Sequence, residues 1–117
     1  MAADTSQVLK HHLEAFGAQD IEAIMEDYTA DAVLITPMGT MRGHAEIRAA
    51  FVGFWADIFA AVESFELTCE AVEGEVAYIV WSCESGTHSL PVGTDTFVIR
   101  DGKIVAQTFA GHIIEKS

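Results

Sequence analysis

The sequence predicts an α+β fold, with helices gathered in the first half and a sheet in the second. Three observations carry this. Apolar side chains recur at helical spacing up to about residue 59. Two-residue alternation takes over from about residue 64. Near the C-terminus, two strand-like runs flank Arg100-Asp101-Gly102. The chain has 117 residues, the length of one ordinary domain, and no repeat, low-complexity tract or linker divides it.

The first helix is expected from about Thr5 to about Ala18. Asp4 and Gln7 have capping-box spacing, and Leu9, His12, Leu13 and Phe16 fall on one face. A short second helix starts after Asp20, a good N-cap, and carries Ile21, Ile24, Met25 and Tyr28. Ala32 to Thr36 reads as a buried strand stopped by Pro37, and Met38 to Gly43 as a loop. A third helix is expected from about His44 to about Phe59. Its stripe of Ile47, Phe51, Phe54, Trp55, Ile58 and Phe59 calls for a deep groove.

The remainder reads as strand. Phe65, Leu67, Cys69 and Ala71 alternate with polar residues, predicting a half-exposed strand that turns at Glu73-Gly74. The return from Glu75 to Glu84 is nearly continuous in apolar residues, which predicts a central strand covered on both faces. His88 to Val92 starts another strand, with Pro91 marking a bulge or an edge. Thr94–Ile99 and Lys103–Gly111 form the last hairpin, giving four or five antiparallel strands in all. A two-residue turn would set Asp95 opposite Thr108, and a three-residue turn with Gly102 left-handed would set it opposite Gln107. The second is favoured, because it gathers Asp95, Phe97, Val105, Gln107 and Phe109 on one face.

Composition narrows the function. Six basic residues against 18 acidic ones give a net charge of −12, with no Lys/Arg patch, so nucleic acid and anionic membranes are unexpected partners. No apolar run approaches the roughly 20 residues that span a bilayer. The stretch Met1 to Ser6 lacks a signal-peptide layout, and a cytoplasmic location is expected. Cys69 and Cys83 lack metal-ligand spacing and read as two reduced, buried thiols. There is no His-Glu-x-x-His, no Cys-x-x-Cys, no phosphate-binding glycine loop and no Gly-x-Ser-x-Gly elbow. No metal and no cofactor is expected.

Three local patterns resemble a known scaffold. They are Asp20-Ile21-Glu22-Ala23-Ile24 followed by Tyr28-Thr29-Ala30-Asp31-Ala32-Val33, then Gly43-His44-Ala45-Glu46-Ile47-Arg48, then Asp95 through Ile104. In this order they look like the nuclear-transport-factor-two-like superfamily, in its SnoaL-like and ketosteroid-isomerase-like branch. The resemblance covers nearly the whole chain. It implies a cone-shaped, curved antiparallel sheet wrapped by three N-terminal helices around an apolar pocket. It implies no single activity, because such a scaffold hosts many.

Relatives that isomerise ketosteroids place a Tyr, a protonated Asp and a second, proton-moving Asp in the cone. By motif alignment these positions fall on His12, Asp95 and Thr36. Only Asp95 keeps its residue type, and a Thr hydroxyl is too weak a base for that mechanism. Asp95 is therefore read as a proton donor or ligand anchor, or else as a structural carboxylate. His12 is read as a pocket base, or else as a satisfied core histidine. Tyr28, Thr36, Trp55, Phe59, Phe97, Gln107 and Phe109 are candidate pocket-wall residues. His88 and His112 are expected to be exposed. His11 projects about 100° from His12, so the two do not chelate.

Two functions compete. One is an enzyme acting on a small apolar carbonyl compound by isomerase, cyclase or dehydratase chemistry. The other is a non-catalytic ligand-binding or dimerisation module, pairing as a homodimer through the outer sheet face. If helices cover one face only, the outer patch is expected to contain Ile79 and Trp81.

Overall fold

Local signals start and stop the helices. The computed structural model describes residues 4–116, so the N-terminal stretch beginning at Met1 lies partly outside them. Helix α1 (Thr5–Ala18) has the expected bounds. The Asp4 side chain accepts from the Gln7 N–H, and the Gln7 side chain accepts from the Asp4 N–H. Asp20 caps α2 (Ile21–Glu26) by accepting from the Ala23 N–H. That helix stops before Tyr28, which opens a strand instead. Helix α3 (Gly43–Ala56) buries Ile47 and Phe51, and Ile58 and Phe59 follow in the turn beyond it, also buried.

Six strands form one curved sheet: β1 (Tyr28–Thr36), β2 (Gly39–Arg42), β3 (Ser64–Glu73), β4 (Val76–Glu84), β5 (His88–Arg100) and β6 (Lys103–Glu115). Their order is β2-β1-β6-β5-β4-β3. The expected loop after Pro37 is in fact β2, hairpinned onto β1 with Thr36 paired to Gly39. The sheet is not wholly antiparallel, because β1 runs parallel to β6. Helix α3 and four strands, β2 to β5, separate the two in sequence, which removes any short-turn signal.

The register differs from expectation for a physical reason. Asp101 and Gly102 both have positive φ, 53° and 78°, and close a two-residue turn with Arg100 opposite Lys103. A bulge at Val105 then shifts the pairing, so Asp95 faces Phe109, and neither Thr108 nor Gln107. The shift restores the favoured parity. Asp95, Phe97, Gln107 and Phe109 share the buried face, while the bulged Val105 leaves it. Strand β5 continues unbroken from His88, and its register slips around Pro91 as expected.

Strand β4 is covered on one face only. Ala77, Ile79, Trp81 and Cys83 point inward, whereas Val76 and Tyr78 are exposed. Ile79 and Trp81 therefore do not belong to the outer patch. Strand β3 is exposed along most of its length, its turn is at Gly74-Glu75, and Cys69 is an exposed thiol. His88 is buried rather than exposed, its Nδ1 against the Thr87 hydroxyl at 2.8 Å and its backbone N–H held by the Ser85 hydroxyl, which ties it into the β4–β5 turn.

Cross-strand rows show what each face presents. One inner row runs Leu34, Gln107, Phe97, Ala77; the next runs Phe109, Asp95, Ile79. Helices α1 and α3 lie on this face, and Leu34, Phe97 and Ile104 are at most 1 % exposed. Each such side chain contributes about 1.5–3 kcal/mol by leaving water.

Candidate functional site

Between the inner sheet face and the two long helices lies a cavity of about 50 Å³, room for a water molecule or two. Its walls are largely aromatic: Phe16, Phe51, Phe54, Phe59, Phe97 and Phe109. Three polar side chains interrupt them, His12 from α1, Asp95 from β5 and Gln107 from β6.

Asp95 is 8 % exposed and both its oxygens are engaged. Oδ1 accepts from Trp81 Nε1 at 2.8 Å, and Oδ2 accepts from Gln107 Nε2 at 2.8 Å. The Tyr28 hydroxyl donates in turn to Gln107 Oε1, which fixes the orientation of the amide. Burial pushes the Asp95 carboxyl above its ordinary 3.8, against the opposing pull of the Trp81 and Gln107 hydrogen bonds and of His12. Burial, and then the charges of Asp95 and Asp27, raise the Tyr28 phenol well above 10, so it remains a donor.

Trp81 reaches Asp95 because the strand beside it has no side chain to obstruct it. Trp81 pairs with Gly93, where an added Cβ would lie 2.3 Å from the indole. The ring stacks between Phe65 and Phe109, at centroid distances of 5.6 and 6.0 Å. Gly93 is the sequence feature that leaves room for a large ring on this face.

His12 is 3 % exposed and sits edge-on to three rings: Phe97 at 5.1 Å, Tyr28 at 5.8 Å and Phe51 at 5.9 Å. Its Nδ1 lies 3.5 Å from Oδ2 of Asp27, a buried residue at the end of α2. Sequence reading missed Asp27, and nothing local marks it, since it meets α1 only after the chain folds back.

A family model for the SnoaL-like domain matches residues 9–107. The chain belongs to the SnoaL-like family. Solved SnoaL-like structures repeat its fold. A SnoaL-like protein of unknown function from Burkholderia thailandensis superposes with a TM-score of 0.75 at 17% identity, covering 92% of this chain and 94% of that one. A nuclear-transport-factor-two-like protein of unknown function from Burkholderia xenovorans gives 0.75 at 19% identity, covering 97% and 84%. A protein with a ketosteroid isomerase-like fold from Catenulispora acidiphila, in complex with trimethylamine, gives 0.72 at 18% identity, covering 90% and 85%. No curated protein matches the sequence.

Within this SnoaL-like chain, the sequence-derived candidates separate. His12, Asp95, Gln107, Phe59, Phe97 and Phe109 line the cavity together. Tyr28 stands behind Gln107 and touches the cavity chemistry through it. Thr36 lies elsewhere: its hydroxyl donates to the Gly39 carbonyl and accepts from the Met38 N–H, tying the β1–β2 turn. Trp55 is also off the cavity wall, tilted against Phe16 and Phe51. Among the described residues no helix is long and apolar enough to cross a membrane.

Proposed function

We propose that the cavity takes a small apolar carbonyl compound and that His12 and Asp95 move protons on it. The reaction class is cofactor-independent isomerase, cyclase or dehydratase chemistry. One observation carries the reading: a buried imidazole and a buried carboxyl line the same largely aromatic cavity. Burial favours the neutral, hydrogen-bond-donating form of the Asp95 carboxyl, and His12 is the other titratable side chain on the cavity wall, available as the base. His12 withdraws a proton beside the carbonyl, and Asp95 donates to the oxygen as negative charge develops there. Trp81 and Gln107 keep Asp95 in place. The cavity reaches the surface between Leu13, Phe54 and Phe65, which are partly or fully exposed and form the side from which a substrate enters.

The test is solvent deuterium exchange at the α-carbons of a panel of small cyclic ketones. Wild-type protein accelerates exchange, and His12→Gln or Asp95→Asn each lowers the rate roughly 100-fold or more. Ketones that bind without accelerated exchange would sink the catalytic reading.

A second reading, compatible with the first, is a homodimer through the outer sheet face. Its support is a chemical contrast. The outer row running from Arg42 to Glu73 passes through Val33, Ala106, Val98 and Val76, none of them charged. The next row contains Ile35, Thr108, Thr96, Tyr78 and Ala71, again without charge. On a chain with a net charge of −12, an uncharged face is where a second copy can approach. Sedimentation of a monomer at micromolar concentration would remove this reading.

A further inference from the structure

Two polar chains leave the cavity, and they end differently. The first passes from Asp95 through Gln107 to the Tyr28 hydroxyl, and all three side chains are buried. The second leaves His12 for Asp27 and continues to His11. His12 Nδ1 lies 3.5 Å from Asp27 Oδ2, and His11 Nδ1 lies 2.6 Å from Asp27 Oδ1. The side chains of His12 and Asp27 are 4% and 8% exposed, while that of His11 is 48% exposed and reaches solvent.

His12 Nδ1 and Asp27 Oδ2 are both buried, and neither makes a well-formed hydrogen bond with any other group. Leaving both unsatisfied costs free energy, and a single Nδ1 proton shared between them satisfies both. The 3.5 Å separation is long, as hydrogen bonds of unliganded sites commonly are, and shortens with a small rotation of the imidazole. The carboxylate itself has little freedom. The Asp27 backbone N–H closes α2 onto the Ile24 carbonyl, and its own carbonyl accepts from the Ile104 N–H of β6 at 2.6 Å. His11 holds the other oxygen.

We propose that Asp27 is the positioning residue for His12, with His11 as the clamp that keeps the Asp27 carboxylate from rotating away. This rests on the catalytic reading of His12 and names the device that prepares it. Accepting the Nδ1 proton selects one tautomer, in which Nε2, on the side of the ring away from Asp27, has the lone pair of a side chain that lines the cavity. The same carboxylate then faces the imidazolium formed when Nε2 takes a proton. Asp27 touches no substrate; it acts through the ring.

Nitrogen-15 NMR of the free protein reads the tautomer directly and needs neither substrate nor variant. Neutral His12 is expected with its proton on Nδ1. A proton on Nε2 would overturn the proposal. In Asp27→Ala, a mixture of tautomers is expected, and ketone exchange falls about 10- to 100-fold in kcat with little change in KM. His11→Gln, which leaves the carboxylate in place, gives a smaller loss in the same direction. An unchanged tautomer in folded Asp27→Ala would also refute it. If instead the Nδ1 tautomer is found and no ketone exchanges, the positioning stands and the catalytic reading alone fails.

Discussion

The two faces of the one sheet are built from alternate residues of the same strands, yet they do opposite things. On β5, Asp95 and Phe97 turn inward, while Thr94, Thr96 and Val98 turn outward. The inward set joins rings from α1 and α3 and holds a carboxyl in a setting that raises its pKa. The outward set, Thr94, Thr96 and Val98, is uncharged and β-branched and lies on the face opposite the cavity. The difference teaches that a buried acid here is a matter of parity. Asp95 moved by one residue would meet solvent beside Thr108, where it would be an ordinary surface charge.

The contrast can be broken most severely from the inside. Phe97→Ala removes a ring that is 1 % exposed and in contact with His12, and should cost about 3–5 kcal/mol in urea unfolding. Next comes Gly93→Ala. Its new Cβ collides with Trp81, so a loss of about 1–3 kcal/mol is expected, together with a change in tryptophan fluorescence as the indole leaves Asp95. Loss of stability without any spectral change would mean that the ring's place is set by something other than Gly93.

A smaller effect concerns pH. The folded pKa of Asp95 lies above 3.8, so the native state holds more protons than the unfolded state in that window. Stability from this group is therefore present at low pH and declines as pH climbs from 3.8 through the raised value. The slope is at most about 1.4 kcal/mol per pH unit for a single proton. Asp95→Asn should flatten that decline, and denaturation midpoints measured across the window would show it. Smallest in its effect on the fold is an outer substitution. Thr96→Lys should change monomer stability by no more than about 0.5 kcal/mol. It should nevertheless abolish sedimentation as a dimer if the outer face is the interface.

Much of this was legible before folding. Asp4, Gln7 and Asp20 gave the helix starts because capping is settled within one turn of chain. The inward set Asp95, Phe97, Gln107 and Phe109 was recovered although the expected turn was wrong. The two-residue turn and the bulge at Val105 each move the register by one residue from the favoured expectation, and an even total leaves each side chain on its face. Assignments failed where the hydrophobic pattern did not show which way a side chain turns or what it bonds. Thr36 looked pocket-facing beside Pro37, but the unforeseen β2 hairpin captured its hydroxyl. Trp81 was assigned outward because near-continuous apolarity along β4 hides which side chains face in.

By itself, then, the sequence determined the helices, the succession of α then β, and the parity that buries Asp95. Each depends on contacts between residues a few positions apart or on a simple period. The tertiary structure alone decided that β1 lies parallel beside β6, that Trp81 reaches Asp95 over Gly93, and that His11 and His12 share Asp27. Those arrangements join residues 14 or more positions apart, and only the packing of helices against a twisted, bulged sheet sets such distances.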